Sequence, residues 1–419
     1  MNYIPRALED RLRKYEKTYK GLLVTGPRQV GKSTLLKKTF PHRKYVSLDD
    51  PFLEEQAREE GGLFLTLNSP PVTIDEVQRA KELFRYIKIK CDESGESGLF
   101  CLSGSQPFHL MQHVSESLSG RIGIVELSGL SLRECMGDRF NRHFLPTLEY
   151  VTDRKKSLRK PENIWEIIHR GGYPELQKEE KEWNAFYADY VRTYIERDVR
   201  ELAAVQDLNA FRQFMIAAAA RTGEILNYSS IASEIGKDVG TVKNWISILE
   251  ASGILYLLEP YTSNVLKRAT KSPKLYFRDT GLACYLTRWL TPETLAYGAM
   301  SGPLFETFAV TEILKSFAYE GLDYRHYVSH YRGRDRKKTT DDDSLRETES
   351  EIDLIIEENG TLYPIEIRKN AQGKAAMTSA FPILDRIPGK TRGMGAVLCC
   401  CPDVGILREN ILQIPVWYV

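Results

Sequence analysis

The stretch GLLVTGPRQVGKSTLLKK, near the start of the 419-residue chain, constrains the fold more than any other. Gly21 to Thr25 read as a short buried strand, Gly26 to Lys32 as a tight loop, and Ser33 onward as a helix. Gly26, Gly31, Lys32 and Ser33 satisfy G-x-x-x-x-G-K-[ST], and strand, loop and helix are the setting this pattern requires. Glycines let successive backbone N–H groups converge on phosphate oxygens, and the helix N-terminus adds the positive end of its dipole. The expected phosphate cradle is therefore Gly26, Pro27, Arg28, Gln29, Val30, Gly31, Lys32, Ser33 and Thr34. In it Lys32 reaches the β and γ phosphates of a nucleotide, and the Ser33 hydroxyl ligates magnesium.

A second strand, Val72 to Ile74 in PPVTIDEVQRA, ends in two acids. Asp75 is expected to hold the magnesium through its water shell, and Glu76 to polarise the attacking water as general base. A third strand, Gly98 to Leu102, runs into SGSQ, where a sensor of the γ-phosphate belongs; Ser103, Ser105 and Gln106 are candidates, with Ser105 preferred. Arg121 precedes a further strand, Ile122 to Leu127, and is the candidate to touch phosphate in its own chain or a neighbour, with Arg133 as the alternative. With a strand at Lys44 to Ser47, the order is strand, phosphate loop, helix, then strands alternating with helices. That order describes an α/β parallel sheet whose ligands bind at the C-terminal strand ends, where all these residues fall.

GPRQVGKST, DEVQ, LSGS and SGR, in this order, resemble the AAA+ superfamily ATPases of bacteria and archaea over residues 1 to about 200. Almost the whole chain is similar to the ATP-binding family whose C-terminal half is called domain of unknown function 4143. The resemblance implies an ATPase using ATP and Mg2+. It also implies that Gly172, Tyr173 and Pro174 form an element lying against adenine; on physics alone GGYP is a helix stop followed by a turn. Arg197–Asp198 and Arg278–Asp279 resemble further family motifs with no chemistry assigned to them.

After a polar connector at 140–162, RTGEILNYSSIASEIGKDVGTVKNWISILEASGILYLLEPY reads as a helix-turn-helix followed by a hairpin. Tyr228 to Ile235 is one helix and Thr241 to Ala251 the other, with Ile231, Ile235, Val242, Trp245 and Leu249 on the apolar face. Lys243 and Asn244 are left for a DNA groove, and Lys267, Arg268, Lys271 and Lys274 form a basic wing suited to phosphate contact. A winged helix is equally a packing module beside an ATPase, so DNA and a protein partner both stand as expectations.

The C-terminal order is a helix carrying Glu306, a strand at Tyr324 to Tyr331, a solvated charged insertion at 332–350, two strands, a helix near Ala376 to Ile387 and a last strand, GMGAVLCCC. It resembles the PD-(D/E)xK nuclease-like fold. That resemblance makes Glu306, Asp353 and Glu366 a degenerate second metal site. Arg368 stands where the family has lysine; its guanidinium does not readily deprotonate, so DNA cleavage is not expected. The expected divisions are an ATPase core at 1–140, a helical lid at 141–219, a winged helix at 220–285 and a nuclease-like domain at 286–419.

Fifty-eight Lys and Arg against 57 Asp and Glu exclude a grossly basic nucleic-acid coat but not a local basic patch. The charged N-terminal stretch does not read as a signal peptide, and the longest apolar run, Phe214 to Ala220, is too short for a bilayer. A cytoplasmic protein with free thiols is expected, with no membrane contact and with homo-oligomers compatible.

Overall fold

The computed structural model describes residues 3–105, 118–178, 181–195, 207–262, 272–338 and 345–419, the side chains of 194–195 and 334–349 excepted. Five parallel strands make the first sheet: β1 (Gly21–Thr25), β2 (Lys44–Ser47), β3 (Val72–Asp75), β4 (Phe100–Ser103) and β5 (Ile122–Glu126), in the order β2-β3-β4-β1-β5. Every residue of β1 is buried, as an apolar run flanked by two strands and covered on both faces must be. The pairings Val24↔Ser103, Thr25↔Glu126 and Ser47↔Asp75 bring the C-terminal ends of all five strands to one edge. Helices α1 (Glu9–Thr18) and α2 (Lys32–Thr39) cover one face. On the other, Phe64, Phe84 and Ile87 pack against Leu23, Ile74 and Leu102.

The second unit sets three helices, Leu208–Ala219, Tyr228–Ile235 and Val239–Ala251, against an antiparallel sheet β6 (Glu224–Ile225), β7 (Leu255–Leu258) and β8 (Lys274–Phe277), ordered β6-β8-β7. The Trp245 ring meets Phe211 and Phe214, each with centroids 5.3 Å away, at the centre. Gly236 closes the first of the paired helices in the left-handed region, and the Asp238 carboxylate accepts the Thr241 N–H. That cap starts the second helix at Val239, two residues before the position expected from the pattern.

The third unit is a sheet of β9 (Val328–Lys338), β10 (Leu345–Glu358), β11 (Thr361–Ile367), β12 (Thr391–Arg392), β13 (Gly395–Cys399), β14 (Gly405–Arg408) and β15 (Ile411–Pro415), with the helix Ser301–Glu320 packed on it. Three expectations fail here. The strand expected from Tyr324 begins at Val328 behind a 3-10 turn, and residues 332–338 and 345–350 of the charged insertion, expected as a solvated loop, are paired as the ends of β9 and β10. The helix expected over Ala376 to Ile387 is two 3-10 turns; Pro382 lacks an N–H and its ring opposes a continuous α-helix. Strands β14 and β15 extend the sheet beyond the expected last strand.

One apolar cluster runs through all three units, from Leu22 and Val24 through Phe214 and Trp245 to Ile365 and Leu412. The Ser301–Glu320 helix is central to it, and its polar residues tie the first unit to the third. Glu312 accepts the Leu132 N–H at 2.8 Å, and the Lys315 amine donates to the Leu130 carbonyl at 2.9 Å. Among the described residues no helix is long and apolar enough to cross a membrane.

Candidate active site

The loop after β1 takes its shape from close approach. Gly26 has φ +141°, and a Cβ there would stand 2.1 Å from the Leu127 carbonyl oxygen, so a side chain has no room. Gly31, at φ +92°, is the N-cap of α2, and the first helical bond is from Leu35 N–H to the Gly31 carbonyl at 2.9 Å. The N–H groups of Lys32, Ser33 and Thr34 precede that bond and belong to the first turn, the anion-binding end of a helix. The Lys32 amine is folded back onto the loop, donating to the Gly26 carbonyl at 3.0 Å and the Pro27 carbonyl at 2.7 Å. A cavity of about 1500 Å3 is lined by Arg28 to Thr34 together with Glu76, Arg79, Ser105, Pro174 and Tyr190.

Strand alternation would send Asp75 and Glu76 to opposite faces. Glu76 instead takes φ +55°, which turns the chain as it leaves β3. Asp75, 4 % exposed, accepts hydrogen bonds from the Tyr45 and Ser103 hydroxyls. Burial, and then the bond to Asp75, raise the Tyr45 phenol; hydrogen bonds with Ser33 and Ser47 act the other way, so one hydroxyl borders both Ser33 and Asp75. Glu76 Oε2 accepts the Ser105 hydroxyl at 2.9 Å and the Gln78 amide, and that amide also donates to Ser105 Oγ at 3.2 Å. Gln78, the last residue of DEVQ, thus joins the site as a residue not expected from the sequence. Gln106 lies outside the described residues.

Pro174 and Tyr173 separate in role. Pro174 lines the cavity, with its Cγ 3.8 Å from where a Cβ on Gly31 would be. Tyr173 stands behind it, 3 % exposed and packed against Phe186 and Tyr190 with centroids 5.3 and 4.8 Å away. Arg121 is at the opposite edge of the sheet, gripping Asp92 through two bonds of 2.6 and 3.0 Å. It is one strand length, about 16 Å, from the loop of its own chain. Arg133 is buried and donates to the carbonyls of Phe140, Arg142 and Val419. Arg79 does line the cavity, as Arg6 and Arg28 do, and is paired with Asp49 at 3.0 Å and Glu54 at 3.2 Å.

The carboxylates of the C-terminal unit also converge, around cations of the protein itself. The Lys274 amine lies 3.2 Å from Glu306, 2.8 Å from Glu351 and 3.4 Å from Asp353. Arg368 bridges Asp353 and Glu366 at 2.6 Å each. Burial and then Asp353 push Glu306 up to about 7 and Glu366 up to about 9. Lys274 was expected in a basic wing; it is 2 % exposed because three carboxylates from distant segments receive it. The cluster does not fit a divalent ion, and among the described residues no group of His, Cys, Asp and Glu is arranged to hold one.

On the helix Val239–Ala251, Lys243 and Asn244 are exposed, with the Lys243 amine 5.6 Å from the Tyr228 ring centroid. Lys267, Arg268, Lys271 and the Arg197–Asp198 pair lie outside the described residues.

Residues 18–136 match the family model of an AAA domain. Residues 301–418 match a domain of unknown function (DUF4143), and residues 161–293 another (DUF8612). The chain therefore carries an AAA domain followed by a DUF4143 region, and the stretch between them has a family model of its own. Uncharacterized proteins of Mycobacterium tuberculosis and Mycobacterium bovis are each 26 % identical to it over 367 residues, 87 % of this chain and 74 % of theirs. Of solved structures, the chain is similar to the Walker-type ATPase of Pyrococcus abyssi, at 16 % identity and TM-score 0.41, covering 68 % of this chain and 96 % of that one. It is also similar to AMPPCP-bound DnaA from Aquifex aeolicus, at 17 % identity and TM-score 0.28, covering 58 % and 85 %.

Proposed function

We propose that the chain binds ATP with magnesium in the cavity above β1 and hydrolyses its γ-phosphate. The observation that carries this reading is the meeting of Arg28 to Thr34 with Glu76 and Ser105 in one cavity. Loop N–H groups and the Lys32 amine take the phosphate charge; Lys32 exchanges its carbonyl partners for phosphate oxygens. Ser33 and Asp75 are the residues that hold magnesium, which supplies charge neutralisation when bound with the nucleotide. Glu76 accepts the proton of the attacking water at its carboxylate, and Ser105 orients that carboxylate. Pro174 forms the wall on the base side. Arg79 takes the in-chain place first assigned to Arg121, whose remaining role is toward a neighbouring copy.

The proposed division is an ATPase core at 1–140, a lid at 141–219, a winged helix at 220–285 and a nuclease-like domain at 286–419, with nucleotide state repositioning the last two. Lys243 and Asn244, exposed on the second helix of the pair, support contact with DNA. A second reading is a nucleotide switch that gates a protein partner, and the apolar core shared by all three units favours it because large rigid-body motion would open that core. Isothermal titration with ADP and magnesium tests the site. Lys32→Ala is expected to weaken affinity about ten- to a hundredfold, the worth of a charged hydrogen bond; equal affinities would remove the loop from nucleotide binding.

A further inference from the structure

The sequence motif Arg278–Asp279 sits at the end of β8, outside the nucleotide cavity, yet its two side chains reach both flanks of the phosphate loop. On one flank the Arg278 guanidinium pairs with Glu126, the last residue of β5, which stands opposite Thr25 and one residue before Leu127, the residue Gly26 leans on. Arg278 also donates to the Tyr324 hydroxyl at 2.9 Å, and that hydroxyl donates to Glu126 at 3.3 Å, closing a triangle. Beside it, a Cβ on Gly253 would lie 2.9 Å from Pro27 Cγ and 3.7 Å from Arg278 Nη1, so the second unit touches the loop itself. Burial acts to raise the Glu126 carboxyl; the adjacent Arg278 charge outweighs that and holds it below the usual carboxylate range.

On the other flank, Asp279 Oδ2 accepts the Gly172 N–H at 2.7 Å and Oδ1 accepts the Tyr187 hydroxyl at 2.6 Å. The Gly172 carbonyl accepts the Leu130 N–H at 2.6 Å, and two residues on, Pro174 packs against Gly31. One dipeptide of the second unit is thus tied to the entry of the loop through Glu126 and to its exit through Pro174.

We infer that Arg278 and Asp279 are positioning residues for nucleotide binding: Arg278 fixes the phosphate loop from the β5 side, and Asp279 fixes the wall on which Pro174 stands. The inference rests on the nucleotide-site reading above. A glycine-bearing loop loses much conformational freedom when it closes on phosphates, and contacts that hold it beforehand remove that cost from binding. Such a contribution acts alike on bound substrate and transition state, so it appears in KM and not in kcat.

The test is ADP and AMP titration with magnesium, beside steady-state ATP turnover, in wild type, Glu126→Gln/Arg278→Gln, Gly253→Ala and Asp279→Asn. The double variant removes both charges together and leaves none unpaired. It and Gly253→Ala should each weaken ADP about tenfold, raise the KM for ATP similarly, keep kcat within about twofold and leave AMP unchanged, since AMP lacks the phosphates the loop holds. Asp279→Asn keeps an N-cap oxygen and should weaken ADP and AMP alike. Gly253→Ala and Asp279→Asn give this readout separately if the double variant does not fold. Unchanged ADP affinity in the folded variants, or loss of kcat with no change in affinity, overturns the inference while the nucleotide-site reading stands. Failure of the wild type to bind ADP overturns both.

Discussion

The Ser105 hydroxyl donates a 2.9 Å hydrogen bond to Glu76 Oε2 across the gap between the ends of β4 and β3. The bond turns a carboxylate on a positive-φ residue toward the cavity that the phosphate loop lines. Ser105→Ala leaves the charge in place and removes its orientation. Turnover should fall about tenfold with nucleotide affinity within a factor of two, because misplacing a catalytic group costs rate more than binding. Steady-state kinetics beside a binding titration checks this; a change in affinity alone would assign Ser105 to binding.

Stability should depend on pH through the buried carboxylates. Glu366 is raised from 4.5 to about 9 and Glu306 to about 7. A carboxyl with a raised folded value binds protons that the unfolded chain has lost, so stability falls as pH rises from about 4.5 toward 9. Denaturant melts from pH 5 to 9 should show a steeper decline for wild type than for Glu366→Gln, whose amide does not titrate. Parallel declines would mean that Arg368 keeps Glu366 ionised throughout.

The same cluster predicts no nuclease activity. Lys274 and Arg368 occupy the space among Glu306, Asp353 and Glu366, and a divalent ion would have to displace two charged side chains. Plasmid DNA should stay intact with magnesium or manganese at any nucleotide state. Metal-dependent nicking that Asp353→Asn abolishes would show that the cluster opens.

Much of the site was legible because its signals are local. Gly26 and Gly31 mark backbone conformations that side chains resist, and Lys32, Ser33, Asp75 and Glu76 lie within a few residues of the strands that carry them. What stayed hidden depends on partners far along the chain. Nothing near Lys274 says that Glu306, Glu351 and Asp353 will bury it, and Arg278 meets Glu126 across 152 positions. The place of Arg121 was not legible because SGR marks a loop without saying at which edge of the sheet the loop lies. The helix expected at 376–387 failed for a local reason, Pro382, that was present in the sequence.

DNA contact has its own signature. Lys243 is exposed on the helix Val239–Ala251, and a lysine that neutralises one phosphate contributes about one unit to the slope of log affinity against log salt. Fluorescence anisotropy with duplex DNA from 50 to 200 mM salt should show weaker binding for Lys243→Ala and a slope smaller by about one. No salt-sensitive binding by the wild type would favour the protein-partner switch.

The central claim is that ATP is hydrolysed in the cavity above β1 with Glu76 as general base, and turnover of Glu76→Gln beside wild type tests it most directly. Glu76→Gln should retain ATP and ADP affinity with turnover lower by about a hundredfold or more, the usual worth of a general base. Equal turnover in the two proteins would contradict it.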